Sequence, residues 1–218
     1  MTPLKTFQNL SRGKQDRITG AAMAEFSEKG YAGASINAIV DRLGIAKGSI
    51  YQYFGDKERL FRFVFEAAMS TVKDYLRTAR DETADAALPV RLEATLVAGI
   101  RFLQAHPRIY RLYLRIRFEY QIPFRDELLR SLRQYSLDYL RSLLETARDR
   151  GELRPGLDLD RASFMLDALM DRFLQAQTVP HLDGGLGLYN CSEAEARKWA
   201  TDLVAMVRTG IGIERGEG

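Results

Sequence analysis

The sequence predicts an all-α protein, and three observations carry that prediction. Apolar residues recur at helical spacing along nearly the whole chain, with no convincing two-residue alternation of the kind a half-buried strand needs. Proline and glycine fall in the gaps between the periodic segments. With 218 residues, 46% hydrophobic and 28% charged, the chain has a folded protein's balance and the length for one large domain or a small one joined to a larger one.

A first helix is expected over about 13–29, with Ile18, Ala21, Ala22 and Phe26 on one face and Gly30 as its left-handed stop. Ser35 is placed to cap a short second helix, Ile36–Leu43, whose apolar positions are Ile36, Ile39, Val40 and Leu43, and Gly44 breaks it. A third short helix follows over about 47–53. Asp56 is placed to cap a long fourth one, along which Leu60, Phe61, Val64, Phe65, Ala68, Val72 and Leu76 form a stripe. After the polar stretch RDETADAA the pattern resumes near 89–104, 107–120, 124–150, 160–177 and 193–208. The widest gap, VPHLDGGLGLYN, is glycine-rich and reads as a mobile loop.

Several classes drop out. No apolar run approaches membrane-spanning length, and MTPLKTFQNLSRGK lacks a signal peptide's apolar stretch, so a cytoplasmic chain with no membrane partner is expected. Cys191, the single cysteine, excludes an internal disulfide and reads as a loop thiol; with His106 and His181 it leaves too few ligands for a metal site. There is no HExxH, no ExxH pair, no glycine-rich phosphate loop and no supported Ser/His/Asp grouping, so neither an enzyme nor a cofactor is expected. Asp167 and Asp171, on one helical face, come nearest to paired carboxylates and read as surface charges. Residues 1–60 hold nine Lys/Arg against six Asp/Glu, while the rest of the chain holds twenty-three of each. The whole basic excess therefore sits in the first sixty positions and suits an anionic partner.

The stretch GIAKGSIYQYF, residues 44–54, then acquires a meaning. Two short helices parted by Gly44 and Ile45 form a helix-turn-helix, with the first long helix and Phe54 as support. A recognition helix in a DNA major groove needs donors to phosphate, a small residue for close approach and few bulky apolar groups. Lys47, Gly48, Ser49, Gln52 and the hydroxyls of Tyr51 and Tyr53 meet that description, while Ile50 and Phe54, four apart, face inward.

These residues also carry a resemblance. The string R-I-x-x-A-A-x-x-x-F-x-x-x-G-Y from Arg17 to Tyr31, the segment SINAIVDRLGIAKGSIYQYF and the following GDKERLF resemble the N-terminal domain of the TetR family of transcriptional regulators. The resemblance implies an all-helical homodimer with a helix-turn-helix DNA-binding domain at 1–55 and a helical ligand-binding and dimerisation domain at 56–218. It implies that double-stranded DNA with a palindromic operator is the partner, and that an unknown small-molecule effector releases a repressor from it. By position it assigns Lys47 and Gly48 to the recognition-helix start, Tyr51 and Gln52 to bases or phosphates, Tyr53 and Lys57 to phosphate, and Ser35 to a further phosphate at a helix N-terminus. One departure is Ala46, where the family commonly has a capping serine or threonine; the lost cap is worth about 1 kcal/mol. The alternatives are an activator, or a helical adaptor whose helix-turn-helix binds protein.

The remaining residues are less specific. The last two helices carry apolar residues on more than one face, with Phe164, Ala168 and Phe173 in one and Trp199, Leu203, Met206 and Val207 in the other. They are expected at a subunit interface, with burial inside the chain as the competing reading. The segment HPRIYRLYLRIRFEYQIPF mixes aromatic rings with arginines, and Tyr110, Tyr113, Arg117 and Phe118 are candidate ligand contacts. The competing reading has its tyrosines in the core and Arg108, Arg111 and Arg115 solvated, paired with Asp126 and Glu127.

Overall fold

The computed structural model describes residues 5–211. These residues form ten α-helices and no sheet: α1 Lys5–Gln8, α2 Arg12–Gly33, α3 Ile36–Leu43, α4 Lys47–Phe54, α5 Lys57–Glu82, α6 Leu88–Ala105, α7 Pro107–Phe118, α8 Arg125–Asp149, α9 Leu159–Thr178 and α10 Glu193–Ile211. Nine are the expected helices with ends moved by a few residues; α1 is additional. By packing, the chain divides into two units, one ending at Lys73 and including His106–Arg130, the other made of Asp74–Ala105 and the residues from Ser131 onward. The sequence reading divided the chain by role instead, after residue 55.

In the first unit α2 buries Ile18, Ala22 and Phe26, and α3 buries Ile36, Ile39, Val40 and Leu43, the stripes their periodicity predicts. Phe61 of α5 meets Phe26, Tyr31 and Phe124 at ring-centroid distances of 4.8, 5.4 and 5.6 Å. Such edge-on aromatic contacts add to the area buried. Asp56 caps α5 as expected, accepting Arg59 N–H at 2.7 Å. Ser35 does not cap α3 with its side chain. Its own N–H donates to the buried Glu25 carboxylate at 3.1 Å, so α2 rather than α3 supplies the acceptor that fixes this helix start.

Gly30 ends the regular part of α2 at φ 69°, and here no other residue would fit. A Cβ there would lie 2.2 Å from the Glu119 carboxylate. Arg115 holds that carboxylate at 2.5 Å and donates to the Glu28 carbonyl at 2.9 Å, which fastens α7 to the C-terminal end of α2. Arg115 is thus not a solvated partner of Asp126 or Glu127: Glu127 pairs with Arg62 at 2.7 Å and Asp126 with Arg125 at 3.4 Å.

The second unit closes around Leu92, Leu96 and Ile100 of α6, Leu140, Leu143 and Leu144 of α8, Leu166 and Phe173 of α9, and Ala196, Ala200 and Val204 of α10. Small residues at the α10 positions let that helix lie close to α6. Asp158 caps α9 through the N–H groups of Asp160 and Arg161, at 3.0 and 3.1 Å. Asp167 is not a surface charge: it is buried, bonded to Ser136 and to Arg133 at 2.6 Å, because α9 turns that position toward α8. The loop after α9 is organised rather than loose, since Asp183 accepts N–H bonds from Gly185, Leu188 and Tyr189 at 3.1, 2.9 and 3.1 Å.

Gly30→Ala should destabilise the protein by about 1–3 kcal/mol, because it places a side chain in a region reserved for glycine and pushes Glu119 off Arg115. Urea unfolding of the variant checks this.

Candidate functional site

Helix α4 has eight residues, too few to hold themselves helical in water. Ala46 supplies no side-chain cap; the turn closes with Ser49 N–H on the Ala46 carbonyl at 2.9 Å. What holds α4 is its inner edge, Ile50 and Phe54, 1% and 2% exposed. Phe7 of α1 backs that edge, its ring 5.0 Å from both Phe54 and Phe63 and 6.1 Å from Tyr53. Thr6 donates to the Gln52 carbonyl at 3.4 Å. Sequence reasoning missed α1 because four residues carry no period; the lone Phe7 among polar neighbours was the available signal.

With its inner edge fixed, α4 turns the rest outward. Lys47, Gly48, Tyr51 and Gln52 are exposed, and the Lys47 ammonium lies 6.0 Å from the Tyr51 ring centre. Ser49 is half-buried, and Tyr53 is half-buried with its ring edge-on to Phe7 and Phe54. Ser35 is exposed at the start of α3. Lys57 differs from expectation in one respect: its ammonium donates to the Ala32 carbonyl at 3.2 Å and lies 5.0 Å from the Tyr31 ring centre. Burial pulls its pKa down, with the Glu25 charge opposing. Arg17 joins α2 to the end of α3 through the Leu43 carbonyl at 3.2 Å.

The candidate ligand residues form a ladder of side-chain contacts along α7. Tyr110 is buried against Tyr113 with ring centres 5.4 Å apart, and Arg117 donates to the Tyr113 hydroxyl at 2.7 Å. Phe118 is 60% exposed, with the Arg117 guanidinium 5.4 Å from its ring centre. In the second unit a groove of about 630 Å³ runs along α5 and α6, lined by none of these four. Its walls include Tyr75 and Glu82 of α5 and Glu93, Val97 and Arg101 of α6, with Arg197 of α10 at one side.

The expected interface residues separate by exposure. Phe164, Ala168 and Met206 face outward, together with Met165 and Leu169. Trp199, Leu203 and Val207 are half-buried against the unit's own core. Phe173, 5% exposed, belongs to that core and offers no surface to a partner, because α9 turns it inward with Leu166 and Met170. Among the described residues no cluster of three or more His, Cys, Asp or Glu could hold a metal, and no helix is long and apolar enough to cross a membrane.

Phe7→Ala should remove about 3–5 kcal/mol of stability by emptying a packed aromatic site. Hydrogen exchange should show the α4 amides losing protection first.

Comparison with known proteins agrees with this geometry. The family pattern described as bacterial regulatory proteins, tetR family, matches residues 18–64. The HTH-type transcriptional regulator YezE of Bacillus subtilis is 33% identical over 153 residues, covering 64% of this chain and 72% of that protein. The HTH-type transcriptional repressor AcnR of Corynebacterium diphtheriae is 27% identical over 179 residues, covering 79% and 84%. The crystal structure of the transcriptional regulator FadR from Bacillus subtilis in complex with stearoyl-CoA shares the fold, with a TM-score of 0.70, 20% identity and coverage of 89% of this chain and 98% of that one. An exposed recognition helix on a buried two-residue anchor, inside a matched segment and in an all-helical chain, places the protein in the TetR family of bacterial transcriptional regulators.

Proposed function

We propose that this regulator is a repressor that binds a palindromic operator as a homodimer and leaves it when a small molecule binds. The observation that carries the DNA reading is the division of α4 into a buried edge and an outward face of Lys47, Gly48, Tyr51 and Gln52. Gln52 suits the paired donor and acceptor of an adenine edge, and Gly48 lets the backbone come close. Lys47, the tyrosine hydroxyls and Ser35 are placed for phosphate oxygens, and Ser49 for the rim of the same contact. Lys57 uses one of its three N–H donors on Ala32, which holds the start of α5 against the end of α2, and keeps the others for a phosphate oxygen.

Repression is supported by AcnR, a named repressor. Dimerisation is supported by Phe164, Met165 and Leu169 of α9 and Met206 of α10, large apolar side chains that the chain itself leaves in water. A two-fold dimer reads a two-fold DNA site. The effector reading is supported by the groove and by the FadR complex, in which the same fold holds a small molecule. A ligand in the groove touches α5, the helix that begins two residues after α4, and acts by binding one conformation better than the other. The protein works by binding alone, as an intracellular DNA partner.

Selection of bound sites from random duplexes should return palindromes. Lys47→Ala should flatten the log affinity against log salt plot by about one unit per copy bound, and Gln52→Ala should relax one base position by about 1–3 kcal/mol. An unchanged salt slope removes Lys47 from the phosphate contacts. Phe164→Glu with Met206→Glu should yield helical monomers by light scattering; an intact dimer places the interface elsewhere.

A further inference from the structure

The groove of the second unit has a chemistry of its own. At about 630 Å³ it falls in the size range of sites for small organic molecules. Ala79, Ala94, Val97 and Ala98 give it a smooth apolar floor. Tyr75 stands at one end, its ring 5.6 Å from that of Phe102, and the short connection over 83–87 returns α6 antiparallel to α5. That orientation puts Glu82, near the end of α5, level with Glu93 and Ala94 of α6.

The charges divide along the groove. At the Tyr75 end Arg101 and Arg197 both bond Glu193, at 3.3 and 2.6 Å, and Asp74 pairs with Arg77. At the other end Glu82 is exposed and has no ion pair among the described residues. Glu93 is half-buried and, among the described residues, accepts only the Thr201 hydroxyl, at 3.2 Å. Two carboxylates without a cationic partner among the described residues thus flank an apolar trough whose arginines are already paired.

We propose that the groove binds a small amphipathic organic cation, with its charge between Glu82 and Glu93 and its apolar body along the alanine floor toward Tyr75. A carboxylate pair favours a cation and repels an anion of the same shape, so the groove selects by sign as well as by size. The binding site stands independently of the regulator's response; only the consequence, release of DNA, rests on the effector reading above.

Calorimetric titration of the full chain, without DNA, with 1-naphthylmethylammonium and the size-matched 1-naphthylacetate tests it. The cation should bind saturably, one per chain, and the anion about tenfold more weakly, the product of two solvent-screened ionic contacts. Glu82→Gln with Glu93→Gln should erase that preference while leaving thermal unfolding unchanged, and Ala94→Phe should block the cation by filling the floor. Equal or tighter binding of the anion overturns the proposal, as does a cation preference that survives the double variant. Failure of the cation to bind overturns the site even where another molecule releases the operator. A cation that binds as described but leaves operator affinity untouched confirms the site and overturns the effector reading alone.

Discussion

The fold of the head depends on one constraint: a helix of eight residues cannot stand without tertiary support, yet most of its surface must stay outside. Two inward side chains, Ile50 and Phe54, meet that constraint, each almost fully buried. Phe63 of α5 and Phe7 of α1 close the site from two sides, so α4 is clamped by the elements before and after it. The absent cap at Ala46 becomes intelligible in these terms. A local hydrogen bond worth about 1 kcal/mol is dispensable where two buried side chains each contribute about 1.5–3 kcal/mol.

The second fixed point is the Glu25 carboxylate, 5% exposed on α2. A buried carboxylate is unfavourable unless it is bonded. Ser35 N–H provides the bond at 3.1 Å, and the Arg42 guanidinium stands 4.0 Å away. The Glu25 charge also acts on Lys57, offsetting part of the burial that disfavours its ammonium. One acid on α2 thereby sets where α3 starts and stabilises the charge at the start of α5. The start of α3 is tied to α2 by it, since moving that start away would leave Glu25 buried without its N–H donor.

Helical periodicity revealed nine of the ten helices because each buries a stripe wide enough to recur, as Ile36, Ile39, Val40 and Leu43 do in α3. The recognition surface was legible for the complementary reason: Lys47, Gly48, Tyr51 and Gln52 stand where a helix of this length would otherwise need apolar anchors. The rest depended on distances between segments far apart in sequence. Nothing local to Ser35 says that its N–H meets residue 25, and nothing local to Arg115 says that it reaches the Glu28 carbonyl. Asp167 looked like surface because its partner Arg133 lies on another helix. The aromatic and arginine run on α7 was legible as a composition, but its i, i+3, i+4 contacts, Tyr110 on Tyr113 and Arg117 on the Tyr113 hydroxyl, emerge only with the helix built. The groove was invisible for the opposite reason, since alanines at 79, 94 and 98 read simply as good helix formers.

Charge sign separates the two binding surfaces. The first sixty residues carry the chain's whole basic excess, and the groove is lined by Glu82 and Glu93, neither in an ion pair among the described residues. On the proposed reading a polyanion is drawn to the first surface and an organic cation to the second, so the two ligands do not compete for one site. Any influence of one on the other must therefore pass through the conformation of the chain, and it is bounded by the difference in affinity of each ligand for the two states. The elements able to carry it are those with residues in both settings. Helix α5 qualifies, with Lys57 bonded at one end and Tyr75 and Glu82 lining the groove toward the other. Its stripe through Leu60, Phe61 and Val64 is fully buried, so a shift of α5 cannot be absorbed by loose packing. Phe63 of the same helix lies 5.2 Å, ring centre to ring centre, from the Phe54 that anchors α4, so α5 also touches the support of the recognition helix.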